Sequence, residues 1–393
     1  MASGTGAGYD VAIVGGGNLG LWTARGLARR GVRRIAVLDR GWFGFGATAR
    51  SAGMIRAQGG TTTGVLLGLR SRALYQQLGA EIGLDDGFTR TGYYVLADSP
   101  DEADHFRGLV DLRRRLGGHG EWLDAAEGQR RAPWFDWSSF AGATFDPDDG
   151  FIHPPIAARN IAVAVGRAPG VDLFERCEVV ELTPGPAVWT VRHAGGWLQA
   201  ERIVLAGGAA GGRLGAMLGL DLPIAGARHH VVVYATVGAG MPHPFPQIFA
   251  VGRGLYLRPE EEGALVGLSR AEPPLPDRPI ALPIDRSFVA TRLPEVEALA
   301  PGLAGQPLGR VWAAAVDHTP DALPVVDEAA PGCVVVAGGG HGMMWGPALG
   351  EAAAEFLVDG TRAGLPPAEI GLGRFGADRS VIRETISLKP PLA

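Results

Sequence analysis

Between Tyr9 and Asp39 the chain runs through an apolar stretch, a glycine turn, an amphipathic stretch and a second apolar stretch, and that order leaves few folds open. Tyr9-Asp10-Val11-Ala12-Ile13-Val14 reads as a buried strand that enters Gly15-Gly16-Gly17-Asn18-Leu19-Gly20. Leu21, Trp22, Ala24, Leu27 and Ala28 then recur at helical spacing until Gly31, and Arg34-Ile35-Ala36-Val37-Leu38-Asp39 reads as the next strand. Two strands joined through one helix pair in parallel with a right-handed crossover. The expected class is therefore α/β. Within the turn, Gly15 permits the tight bend, Gly17 lets a pyrophosphate approach the backbone, and Gly20 lets helix and strand pack closely. The helix start offers free N–H groups to phosphates. Asp39 is placed to accept hydrogen bonds from an adenosine ribose. These residues together predict a dinucleotide site.

NAD and FAD share that motif. The same strand-to-glycine junction recurs, at Arg202–Ala206 into Gly207-Gly208 and at Cys333–Ala337 into Gly338-Gly339-Gly340-His341-Gly342. Three junctions, from the start, middle and end of the chain, favour the longer flavin cofactor. The helix expected over Pro347–Val358 would point its N-terminus at the flavin carbonyl that gathers charge on reduction. Between the junctions, Ala73–Ile82, His105–Leu116 and Ile156–Val165 read as helices. Gly92–Leu96, Glu178–Leu182, His229–Ala235, Gln247–Val251, Gly254–Arg258 and Ala264–Leu268 read as strands, the last four forming an antiparallel sheet over a substrate site.

Composition narrows the function. With 36 basic and 41 acidic residues the net charge is −5, which argues against a nucleic-acid partner. Two cysteines, Cys177 and Cys333, make neither a disulfide framework nor a zinc site, and no residue spacing suggests a metal. Core packing is the expected role of both. The single lysine, Lys389, leaves almost no ammonium for catalysis. Residues 1–8 lack the features of a signal peptide. The stretch 206–227 carries Arg213 and Asp221 and is too rich in glycine for a membrane span. The expected location is the cytoplasm.

The chain resembles the D-amino-acid-oxidase-like FAD oxidoreductases, in particular the sarcosine oxidase and glycine oxidase branch. The resemblance rests on the opening fingerprint; on Gly46-Ala47-Thr48-Ala49-Arg50-Ser51-Ala52-Gly53-Met54-Ile55-Arg56; on Ile203 to Gly208; on Gly254-Leu255-Tyr256-Leu257-Arg258-Pro259; on His318-Thr319-Pro320-Asp321-Ala322-Leu323-Pro324-Val325; and on Gly339-Gly340-His341-Gly342. It implies a discontinuous, Rossmann-like FAD-binding domain over 1–85, 150–215 and 310–393. An α+β substrate domain with a large, mostly antiparallel sheet would take 86–149 and 216–309. It also implies oxidation of an amine or amino acid, by hydride transfer from the carbon next to nitrogen to the flavin, with oxygen or another molecule as electron acceptor. FAD contacts would come from Gly15, Gly17, Asn18, Leu19, Gly20, Asp39, Arg40, Thr48, Arg50, Ser51, Ala52, Gly53, Met54, Val179, Gly207, Gly208, Gly340, His341, Gly342 and Met343.

Departures from the family pattern shape the expectations. No cysteine stands at Trp312–Ala315 and no histidine at Ala49–Ser51, where relatives tether the flavin, so FAD is expected to bind without a covalent bond. Met343-Met344-Trp345 replaces the lysine that holds a substrate carboxylate in sarcosine oxidases, and Val316 stands where glycine oxidase carries an arginine. Arg56 remains as the carboxylate clamp, with Arg258 second. Leu265 replaces the lysine that helps sarcosine oxidases react with oxygen. His341, His318, Tyr256 and Met344 complete the expected catalytic set, while one of His229 and His230 is expected to point outward. Trp345, Met343, Met344 and Tyr256 would make an apolar pocket suited to a substrate bulkier than sarcosine. The alternatives are a 2-hydroxy-acid or polyol dehydrogenase with a histidine base, a flavoprotein subunit of a larger dehydrogenase, and a silent FAD-binding protein.

Overall fold

A computed structural model describes residues 8–275, 282–376 and 382–388, so Lys389 lies outside the described residues. The strand Gly8–Val14 sits between Ile35–Leu38 and Gly196–Leu205 and is parallel to both. Ala12–Val14 and their partners on the two sides, Ala36–Leu38 and Ile203–Leu205, are apolar and buried, as the centre of a parallel sheet requires. Around them grows an eight-stranded sheet that includes Cys333–Ala337, parallel to the middle strand at Ile203–Leu205. A small three-stranded sheet, Met54–Ile55, Gly150–Ile152 and Phe88–Arg90, leads to a second eight-stranded sheet. In that second sheet every pairing is antiparallel except Gln247–Ala250 with Tyr93–Ala97. The architecture is the α/β class with a second, mostly antiparallel sheet.

Side-chain alternation gives the second sheet two different faces. His229, Val231, Val233, Phe249, Tyr256 and Leu265 point toward the first sheet's side of the molecule. Val232, Tyr234, Leu255, Leu257, Val266 and Leu268 pack against Phe288, Val289, Val296 and Leu299 of the helix Arg286–Leu299. The expectation that one of His229 and His230 faces outward therefore fails. The helix covers the second face too, and both rings are buried. His230 contacts Phe288 and accepts from the Asp285 N–H. Strand Leu308–His318 pairs with Ala225–Tyr234 along most of its length, so a domain division at 310 falls inside a strand of the second sheet.

The helix expected over Pro347–Val358 begins earlier, at Gly342, and carries Pro347 in its second turn. Proline lacks the N–H that would bond the carbonyl of Met343. That carbonyl instead accepts from the Tyr75 hydroxyl at 2.7 Å and from Asn18 Nδ2 at 3.3 Å. The helix lies against the opening helix Asn18–Arg29 through positions without side chains. A Cβ at Gly350 would stand 2.5 Å from Trp22 Cβ, and one at Gly346 2.3 Å from Asn18 Nδ2. This close contact joins the first and last junctions of the chain.

Candidate active site

One cavity runs from Asp39 to Leu388, between the first sheet's glycine turns and the inner face of the second sheet. The three junctions meet at it. A Cβ on Gly15 would lie 2.2 Å from the Ala206 carbonyl oxygen, and Asn18 Nδ2 donates to the Gly342 carbonyl at 3.0 Å. Gly15 also has φ +116°, in the left-handed region that favours glycine. Gly20 does not line the cavity; a Cβ there would stand 1.8 Å from the Gly15 carbonyl oxygen, so its part is helix–strand packing.

The opening helix has no acidic residue in its first turn and no side-chain cap at Gly17. Its positive end therefore faces the cavity with no acidic side chain in its own first turn. The helix Gly342–Asp359 starts the same way from His341. Asp39, at the far end, accepts from Gly16 N and Gly41 N, both at 2.7 Å, and burial raises its carboxyl while these bonds oppose the rise. Asn18 Oδ1, His341 Nδ1 and Arg56 Nε are buried without partners. A cradle with two helix N-termini, a ribose-binding acid and orphaned polar atoms fits a long dinucleotide such as FAD.

Of the expected FAD contacts, Gly15, Gly17, Asn18, Leu19, Asp39 and Arg40 line the cavity at its opening end. Thr48, Arg50, Ser51, Ala52 and Met54 line its side, and Gly207, Gly208, Gly340, His341, Gly342 and Met343 line the middle and closing turns. Gly53 and Val179 stand outside the lining. Gly53 holds φ +73° with the Ile152 carbonyl 2.0 Å from where a Cβ would be, and Val179 packs in the core beside the first sheet. Cys177 and Cys333 are buried there as well.

The expected catalytic set divides. Arg56, Tyr256, His341 and Met344 line the cavity. Arg258 does not. It pairs with Glu260 at 2.6 Å, donates to the carbonyls of Ala52 and Pro259, and lies over the Phe151 ring, so its charge is already satisfied inside the fold. His318 is also set back. It stands behind His229, with the rings stacked and Nε2 to Nε2 at 3.0 Å, and His229 is the one that reaches the cavity. Trp345 lies outside the lining and stacks on His341 at 4.0 Å between centroids. Leu265 is buried on the cavity-side face of its strand without lining the cavity.

Sequence reasoning missed Tyr93, Phe249, His229, Asp317 and Leu388, all of which line the cavity. Tyr93 and Phe249 belong to strands far apart in sequence that pair only through the parallel contact of the second sheet. Asp317 accepts from Gly338 N and so braces the closing glycine turn. Strand alternation was the only available signal for His229 and Phe249, and it does not say which face is inward.

Arg56 is 2% exposed and donates to the carbonyls of Gln58 and Ile386, with its guanidinium over the Phe249 ring. Burial raises the Tyr93 and Tyr256 hydroxyls well above the usual phenol range, so both stay protonated at neutral pH. Burial lowers His229 and His341 well below the usual imidazole value, with His318 adding to both by charge and Arg56 adding to His341. Burial brings His318 down to about 4. These rings are neutral in the folded protein at pH 7.

That state makes a stability prediction. Between pH 6.5 and about 4 the unfolded chain takes up a proton on His318 that the folded chain refuses. Stability is then present above pH 6.5 and is lost as pH falls through that window, by on the order of 3 kcal/mol for this one ring. Thermal melts across the window should drop steeply for the wild type and less steeply for His318→Gln. Parallel curves would refute the assignment.

No group of three or more His, Cys, Asp or Glu among the described residues could hold a metal ion. No helix among them is long and apolar enough to cross a membrane.

Comparison with known proteins agrees with this geometry. Glycine oxidase of Geobacillus kaustophilus is 32% identical over 327 residues, covering 81% of this chain and 84% of that one. Its crystal structure superposes with a TM-score of 0.81 over 94% of this chain and 100% of its own. The structure of L-proline dehydrogenase from P. horikoshii gives a TM-score of 0.84 at 25% identity, over 94% of this chain and 98% of that one. The 4-methylaminobutanoate oxidase (formaldehyde-forming) of Paenarthrobacter nicotinovorans is 28% identical over 380 residues, which span 94% of this chain but 46% of that enzyme. The chain thus spans about half the length of some relatives and most of others. The family model described as FAD dependent oxidoreductase matches residues 10–356, which include all three glycine junctions and both sheets that meet at the cavity. With that match the cradle and its cofactor class coincide: the chain belongs to the DAO family of FAD-dependent oxidoreductases.

Proposed function

We propose that the protein oxidises an amino acid or a related carboxylate-bearing amine at the carbon next to nitrogen. The observation that carries this reading is Arg56, a buried guanidinium at the cavity wall with an unpartnered Nε. Tyr93, Phe249, Tyr256 and His341 line the same cavity, with the Phe249 ring under the guanidinium. Glycine, 4-methylaminobutanoate and L-proline, in the names of the three relatives, all carry both an amine and a carboxylate.

Arg56 binds the carboxylate and orients the substrate, a charge-assisted contact with directional donors. The aromatic wall excludes water and lowers the local dielectric. An ammonium group there, beside Arg56 and away from water, loses its proton readily, since both burial and a like charge disfavour the charged form. The proton goes to bulk water as the substrate enters, because burial keeps the His229 and His341 rings neutral. When bound, FAD supplies the hydride acceptor for the carbon next to nitrogen, and the imine left on the substrate hydrolyses in water. The apolar room near Met343, Met344 and Tyr256 suits a secondary amine bulkier than sarcosine.

The same reading holds FAD without a covalent bond, because Ala314 and Ala315 line the cavity where relatives place a tethering cysteine. Acid precipitation should leave FAD in the supernatant; a yellow pellet would refute it. Leu265 brings no charge to the cavity-side face, so a dye should reoxidise the reduced protein faster than air does unless Arg56, on the cavity wall, supplies that charge. A cytoplasmic location completes the reading, supported by the composition, and cell fractionation checks it.

Anaerobic mixing with amino acids, amines and 2-hydroxy acids tests the function. Amino acids should bleach the flavin, and bleaching only by hydroxy acids would overturn it. Mixing the bleached protein with air or dye then tests the acceptor.

A further inference from the structure

Part of the cavity wall outside both sheets comes from the late segment 382–388. Residues 382–388 cross the substrate end, and Leu388 lines it. Ile386, 1% exposed, gives its carbonyl to Arg56, and its backbone also lies against the His341 ring. The segment is fastened by Glu384, a carboxylate 2% exposed that no reaction step uses. Glu384 accepts from Gly60 N at 2.6 Å, from Thr61 Oγ1 at 3.2 Å and from Ile386 N at 2.9 Å. Its own N–H donates to the Asp321 carbonyl at 2.9 Å.

The seat is shaped for this carboxylate. A Cβ on Gly60 would stand 2.6 Å from Glu384 Oε1 and one on Gly64 2.5 Å from Oε2. Thr61, the residue that Glu384 holds, is also the N-cap of the helix Thr62–Ile82. The two acceptors of Arg56, Gln58 and Ile386, are neutral carbonyls, while burial raises the Glu384 carboxyl and the nearby charge of Arg56 opposes that rise.

We propose that residues 384–388 form a clasp that completes the substrate-carboxylate subsite: Glu384 fastens the segment, the Ile386 carbonyl sets the pose of Arg56, and Leu388 closes the apolar end. Glu384 is thus a positioning residue, acting through Arg56 rather than on substrate. The inference rests on the reading of Arg56 as the carboxylate anchor.

Benzoate, an aromatic carboxylate, serves as the probe on the FAD-loaded protein, with binding followed by calorimetry. Glu384→Ala should raise its Kd tenfold or more. Glu384→Gln, which keeps the acceptor for Gly60 and Ile386, should stay within threefold of wild type. In turnover, Glu384→Ala should raise KM for the amino acids found to bleach the flavin and leave kcat within threefold. Leu388→Trp keeps the fastening intact and should lower kcat/KM for bulky substrates by tenfold while sparing small ones. An unchanged benzoate Kd in Glu384→Ala, or no size discrimination in Leu388→Trp should the alanine variant fail to fold, would overturn the clasp. Arg56→Met run in parallel separates the two ideas. If it leaves benzoate binding unchanged, the anchor reading fails; if it weakens binding and Glu384→Ala does not, only the clasp fails.

Discussion

Gly20→Val should yield a protein that neither retains FAD nor folds to the wild-type stability. A side chain at this position has no room, because its Cβ alone would sit 1.8 Å from the Gly15 carbonyl oxygen and 3.3 Å from Ile13 Cγ2. Both neighbours belong to the central strand and its turn, which close packing on either side holds in place. The opening helix would have to withdraw. That would shift its N-terminus away from the pyrophosphate and break the contact with the helix Gly342–Asp359 in the same movement. The expected loss is on the order of 4 kcal/mol or more, the range of severe overpacking. Gly31→Ala is the control at the other end of the same helix. Nothing lies within 4 Å of its Cβ, and only its φ of +82° is strained, so the cost should be about 1 kcal/mol. The flavin-to-protein absorbance ratio and the melting temperature report both. A yellow Gly20→Val protein melting within a few degrees of wild type would show that the helix can move without cost to the site.

Arg56→Met should lower kcat/KM for amino acids by roughly tenfold to a hundredfold or more, since a hydrogen bond to a charged group is worth about 1.5–3 kcal/mol. The corresponding amine without its carboxylate should be handled equally well by both proteins. That difference matters because Arg56 also holds the carbonyls of Gln58 and Ile386. A purely structural role would reduce every substrate alike and lower the melting temperature. Only a loss confined to carboxylates supports the anchor.

The cofactor half of the site was legible because its determinants are local. A strand, a glycine turn and a helix start occupy consecutive residues, and the spacing of Gly15, Gly17 and Gly20 states the backbone geometry that a pyrophosphate needs. The same holds for Gly207-Gly208 and Gly340-His341-Gly342, each at the end of an apolar strand. The closing helix was read too short, from Pro347 instead of Gly342. The carbonyl that proline frees is taken by Tyr75 and Asn18, partners that no local rule points to.

The substrate half was legible only in part. Arg56 and Tyr256 stood in recognisable motifs, yet so did Arg258 and His318; the sequence placed Arg258 second to Arg56 but kept all four in the expected catalytic set. Burial separated them. Arg258 is consumed by Glu260 and Ala52, and His318 by its stack on His229. Strand alternation told that His229 and His230 face opposite sides; it did not tell that both sides are covered. Glu384 and Leu388 reach the site from the far end of the chain, with no motif around them. What the sequence by itself determined is the parallel βαβ core and the cofactor that its turns accept, because those depend on neighbours in the chain. What only the tertiary structure decided is which arginine and which histidine face the cavity, because that depends on the partners that long-range packing brings to each charged group.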